Sequence, residues 1–185
     1  AQSPEAVLST LVRADISLRA NAPADTISQI RADAVYWPTQ RLNCAIRPVT
    51  LEETRFPGFV FTYLALDRVY TYRTDTDDDI LLCANYPIQE APPDLLIEID
   101  PVAAELVALA KLRLGRELDL PTEVIELRDL SAEIWENSNL GCVVDGDAGE
   151  PIAINGYRIV LIAAETEYIF HTDSVQLRRC EEAGD

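Results

Sequence analysis

With 185 residues, 48% of them apolar, the chain is long enough for one medium domain or two small ones around a packed core, and its composition excludes a disordered chain. No apolar run approaches the roughly eighteen residues that a membrane-spanning helix needs. A formal charge of −17 repels phosphate backbones and anionic lipid, which argues against nucleic acid as a partner and favours a basic one.

In chain order, Ser3-Pro4 reads as an N-cap followed by proline at the first helical position. Val7, Leu8, Leu11 and Val12 then set an apolar stripe at helical spacing. Pro23 lies past the helix end. A strand is expected near Thr26–Trp37, then a loop of about twenty residues holding Cys44. Phe59–Leu66 is rich in β-branched and aromatic residues and turns at Asp67-Arg68 into Tyr70–Arg73, a hairpin. A last short strand ends at Cys83. Residues 85–100 hold Pro87, Pro92 and Pro93, the composition of a stiff, extended connector.

From there the chain repeats itself. At an offset of 98, Trp37, Leu42, Cys44, Gly58, Tyr70, Thr74 and Asp75 meet Trp135, Leu140, Cys142, Gly156, Tyr168, Thr172 and Asp173. Upstream, Ala6, Leu8, Leu11, Pro23, Ile27 and Ala34 meet Ala104, Leu106, Leu109, Pro121, Ile125 and Ala132. With Glu52/Glu150 and Ala65/Ala163 this makes fifteen identities over positions 6–75. Chance gives roughly four or five at ordinary residue frequencies. The expected organisation is therefore unit one over 1–84, a linker over 85–100 and unit two over 101–185, as tandem domains rather than a solenoid.

Unit two reads like the first. Asp100-Pro101 opens a helix with Val102, Leu106, Leu109 and Ala110 as its stripe. Strands follow near Val124–Trp135, Tyr157–Ala164 and Tyr168–His171, with a turn at Glu165-Thr166-Glu167. The expected class is α+β: in each unit one helix on a roughly four-stranded antiparallel sheet.

Cys44 and Cys83 are 39 apart, Cys142 and Cys180 are 38 apart. Four cysteines allow three connectivities, and the duplication singles out one bridge per unit. Each would contribute about 3–4 kcal/mol for a loop of this length. The cysteines lack the close pairs usual in zinc sites. The Trp seven residues before each first Cys is expected to pack on its bridge or on the core. Bridges point to an oxidising compartment, and the start Ala1-Gln2-Ser3, without Met, fits the mature side of a signal-peptidase cut. Export is the expectation: periplasm, lumen or secretion.

The lone histidine, His171, meets Arg73 in the repeat, so its position accepts another cation. A catalytic reading, with Asp173 and with Cys142 as nucleophile, needs Cys142 reduced. The shared Thr-Asp reads as side-chain-to-backbone bonding that ends the hairpin. Two acidic runs, Asp75–Asp79 and Asp145–Glu150, suit solvated turns; neither fits a calcium loop, whose twelfth position would be Tyr86 or Gly156. No P-loop, G-x-G-x-x-G, H-E-x-x-H or C-x-x-C appears. No catalytic residue, cofactor site or metal site is therefore expected.

What differs between the units is the loop after each Trp, 38–57 and 136–155. The first carries Arg41, Arg47 and Arg55, the second is acidic and glycine-rich. A loop pinned by a bridge is pre-organised for recognition, and the expected partner-binding residues are Arg41, Leu42, Arg47, Asn139, Leu140 and Val143.

Trp135, Leu140-Gly141-Cys142, Gly156-Tyr157-Arg158-Ile159-Val160 and His171-Thr172-Asp173 resemble a motif of exported bacterial proteins of undefined function, W-P-D-x-x-L-G-C-P-x-P-G, then G-Y-R-I-V-L, then Y-H-T-D. Glu136 and Val143 stand where that motif has Pro, and Pro38 keeps it in unit one. The plan of two tandem α+β units with one bridge each is similar to the β-lactamase inhibitory protein, which implies a protein-binding, inhibitor-like role. The expectation is an exported, non-enzymatic module that binds a protein with a basic surface. The alternatives are an envelope protein that binds calcium or a small ligand, and a structural subunit of an envelope assembly.

Overall fold

The computed structural model describes residues 2–50 and 55–180. Ala1 of the N-terminal expectation, residues 51–54 of the first loop and Glu52 of the repeat identities lie outside the described residues. The chain divides into two compact units, Ala1–Ile88 and Gln89–Asp185.

In unit one, helix α1 (Pro4–Ala20) opens as expected: Ser3 Oγ accepts from the Ala6 amide at 3.2 Å and Pro4 sits in the first turn. It closes on Asn21 in the left-handed conformation. Strands β1 (Ser28–Trp37), β2 (Phe56–Ala65), β3 (Arg68–Asp75) and β4 (Ile80–Pro87) follow as an antiparallel sheet in chain order. The two-residue turn after Ala65 places Leu66 at φ 55°.

The sheet's register sorts its side chains. Phe61 pairs with Tyr72 and Tyr63 with Tyr70, and these four bury one face against Leu8, Val12 and Ile16 of α1. Each such aliphatic side chain contributes about 1.5–3 kcal/mol on burial. The helical stripe is therefore 8/12/16; Leu11, which the spacing placed inside, is more than a third exposed. Val7 and Leu11 lie on the flank of the face that Leu8 and Val12 share, and the phase of a helix against its sheet is a tertiary choice. The phenol of Tyr72 reaches past the core to Asp15 at 2.5 Å, where Arg19 also binds at 2.6 Å.

Unit two repeats the plan. Helix α3 (Pro101–Leu118) starts on Asp100, whose Oδ1 accepts from the amides of Val102 and Ala103. Strands β5 (Glu126–Asn137), β6 (Pro151–Ala163), β7 (Thr166–Thr172) and β8 (Leu177–Cys180) form the second sheet in chain order. Ala164 and Glu165 both have positive φ, the signature of a two-residue hairpin turn that follows the strand twist. The register shift in the first strand recurs as well, between Gln29 and Arg31 and between Leu127 and Asp129, again 98 apart. Ala103, Leu106, Val107, Ala110 and Leu114 are buried, whereas Val102 and Leu109 are exposed.

The connector is the main correction. Strand β4 runs on to Pro87, and Pro93–Ile99 forms a short helix, α2, with Leu95 and Leu96 buried. Pro92 and Pro93 start this helix instead of stiffening an extended strand, because proline's fixed φ and missing N–H suit a first turn. Unit two therefore has two helices against its sheet.

Candidate functional site

The face of each sheet turned away from the long helix carries the candidate site. Trp37 pairs with Phe56 and Trp135 with Ile154, on the outer side. Each indole N–H crosses to a strand carbonyl: Trp37 Nε1 donates to Thr74 O and Trp135 Nε1 to Thr172 O, both at 2.8 Å. Between donor and acceptor lies a glycine. A Cβ on Gly58 would sit 2.1 Å from Thr74 O, and one on Gly156 would sit 1.7 Å from Thr172 O. The buried hydroxyls of Thr74 and Thr172 accept from the amides of Phe59 and Tyr157, both at 3.2 Å. Asp75 and Asp173 then cap the next turn: Asp75 Oδ1 accepts from Asp77 and Asp79, Asp173 Oδ1 from Val175 and Gln176. Trp, Gly, Thr and Asp form one frame, built twice.

The loop after each Trp folds back over this frame and is tied down by a bridge. Cys44 joins Cys83 and Cys142 joins Cys180, with Cα atoms 5.3 Å apart in each. In unit one the cation of Arg73 lies 5.1 Å above the Trp37 ring, and its Nη1 donates to the carbonyls of Asn43, at 2.7 Å, and Ile46. In unit two His171 stacks on Trp135 instead, with ring centroids 4.2 Å apart and planes 17° from parallel. His171 Nδ1 donates to Leu140 O at 2.7 Å. A carbonyl can only accept, so the proton sits on Nδ1 and Nε2 keeps its lone pair. Burial pulls the imidazole below its ordinary value, with Arg158 adding to the effect. The imidazole is neutral at pH 7.

A family model described as a domain of unknown function (DUF8738) matches residues 9–83 and 107–180. The chain belongs to this family. No curated protein and no solved structure matches it.

Each DUF8738 match runs from within the long helix to the second cysteine of its unit, so the helix, the sheet, the Trp frame and the bridge make up the repeating object. Helix α2 lies outside both matches.

The six residues expected to meet a partner divide. Arg41, Arg47 and Val143 are exposed, the last at 71%, and Leu42 is half-buried. Asn139 and Leu140 are buried, which corrects their assignment. Asn139 braces its own loop and ties it to β8: Nδ2 donates to Asp147 O and Oδ1 accepts from Arg178. Leu140 is fully buried at a φ of 56°. That backbone costs an ordinary residue about 1–2 kcal/mol, offset by burying the side chain. A loop whose middle is pinned from beneath must spend some residues on the pin.

Both acidic runs also serve turns. Asp147 Oδ1 accepts from Gly149, as Asp75 does from its own turn. The Asp173 carboxylate is bonded in its turn, and Cys142 is bridged. Among the described residues, the gathering of three metal-competent side chains is Cys142, His171 and Cys180, with ligand atoms within 4.8 Å of one another.

Proposed function

We propose that this chain is an exported, non-enzymatic protein-binding module that meets its partner through the two bridge-pinned loops. The carrying observation is that each loop is fastened from below, by the bridge and by Arg73 or His171, while Arg41, Arg47 and Val143 point outward. Fastening the backbone in advance lowers the ordering cost of binding. The two loops differ in charge, Arg41 and Arg47 against Asp145, Asp147 and Glu150, so each selects a different surface. With a net charge of −17, the partner carries a basic surface that meets the acidic loop. Inhibition of an extracytoplasmic enzyme is the form of binding that this plan suits. Export is supported by two disulfides, which persist in oxidising compartments. No described helix is long and apolar enough to cross a membrane.

The test starts with the oxidised protein immobilised and an extracytoplasmic extract of its source passed over it. Affinity for the retained partner is then measured for Arg41→Glu/Arg47→Glu and for Val143→Asp. These side chains are exposed, so the fold survives. At least a tenfold loss in one variant is expected, and unchanged affinity in both removes the loops from the interface.

A further inference from the structure

We propose that unit two carries a redox-gated site for a thiophilic divalent cation such as zinc, made by Cys142, Cys180 and His171 once the bridge between the two cysteines is reduced. The three side chains come from the loop after β5, from β8 and from β7, and their ligand atoms lie within 4.8 Å of one another. In tetrahedral zinc, bonds of about 2.3 Å to sulfur and 2.0–2.1 Å to nitrogen put neighbouring ligand atoms about 3.5–3.8 Å apart. The Cα atoms of the two cysteines are 5.3 Å apart, so freed sulfurs reach that spacing by side-chain rotation.

Two further features fit a ligand set. His171 Nδ1 donates to Leu140 O, which orients the ring and leaves a lone pair on Nε2; metal-bound histidines are held by such an outer hydrogen bond. Trp135 stacks on the ring and fixes its plane. Three protein ligands leave the fourth position to water.

Unit one is the built-in control. Its bridge has the same Cα spacing, but Arg73 stands where unit two has His171, and a guanidinium has no lone pair to give.

The steps balance. A dithiol reductant passes two electrons and two protons to the bridge, giving two cysteine thiols and its own disulfide. The cation then binds the two sulfurs and Nε2, releasing the two thiol protons. A disulfide oxidant takes two electrons from the two bound thiolates and, with two protons from water, leaves as two thiols; the bridge closes and the ion is expelled.

The test is a cobalt(II) titration of the full-length chain after dithiol treatment and removal of the reductant without oxygen, read by thiolate-to-cobalt charge-transfer absorption, with circular dichroism as the measure of fold. One equivalent is expected to bind the wild type, to be displaced by zinc, and to be absent from the oxidised protein and from reduced Cys142→Ser/Cys180→Ser. His171→Arg, which copies unit one, is expected to weaken binding by more than the roughly 10- to 100-fold that outer-sphere changes cost. The proposal is overturned by a folded, reduced chain with no such band, by equal affinity in His171→Arg, or by a band that survives in Cys142→Ser/Cys180→Ser. A reduced chain that stays unfolded in the presence of zinc also overturns it.

Discussion

Single residues carry the frame on the outer face of each sheet. Gly58 and Gly156 are there because no Cβ fits between an indole N–H and the carbonyl it bonds. Gly156→Ala drives its methyl into backbone, which cannot swing aside, so the loss should be at least about 2–3 kcal/mol, the upper range for overpacking. Chemical denaturation with Trp fluorescence reads both the loss and any change around Trp135. His171 gives a pH signature. Its folded value lies below the ordinary 6.5, so the unfolded chain binds the proton more readily. The stability it contributes is fully present above about 6.5 and is lost as the pH falls through the depressed folded value. Melting temperature should therefore decline as the pH falls below about 6.5 more steeply in the wild type than in His171→Gln, with carboxylates adding their own loss at lower pH. Parallel slopes for the two proteins would contradict the burial of the imidazole.

The long helix has a working face and an idle one. Leu8 is 1% exposed among Val12, Phe61 and Tyr72, whereas Leu18 on the same helix is 83% exposed. Leu8→Ala should cost about 2–5 kcal/mol, and Leu18→Ala should stay within about 0.5 kcal/mol. Paired urea titrations measure both. Helix starts were legible because Ser3-Pro4 and Asp100-Pro101 act through neighbouring amides. The face was legible only in part: Leu8, Val12, Leu106 and Ala110 are buried, but Leu11 and Leu109 are exposed. An apolar pattern two residues wide leaves the helix free to turn by a fraction of a step until the sheet decides. The proline-rich connector departs from its expected extended form for a related reason. Proline fits an extended chain and a first helical turn equally well, and the burial of Leu95 and Leu96 selects the helix.

Across the whole molecule, the duplication is preserved down to the position of a register shift in each first strand and to the 5.3 Å Cα spacing of each bridge. Removing Cys44–Cys83 or Cys142–Cys180 by double serine substitution should cost about 3–4 kcal/mol each, since the closed loops are nearly equal in length. Calorimetry on the two variants measures it, and a much smaller loss for either would show that its loop is held without the bridge. The specific exported-protein motif and the likeness to the β-lactamase inhibitory protein find no support in the family match, which establishes a tandem domain of unknown function.

The sequence by itself determined the two units, the bridge in each, the helix caps and the α+β class. All of these rest on local chemistry or on a residue type recurring at a fixed offset, and Trp, Gly and Thr of the frame were already among the fifteen identities. The tertiary structure alone decided the rest. It buried Asn139 and Leu140 beneath the loop they were expected to present, and it turned the prolines of the connector into a helix start. It also set His171 against Trp135, Cys142 and Cys180. Those contacts join positions on β5, the loop after it, β7 and β8, and only the pairing of strands brings such positions onto one face.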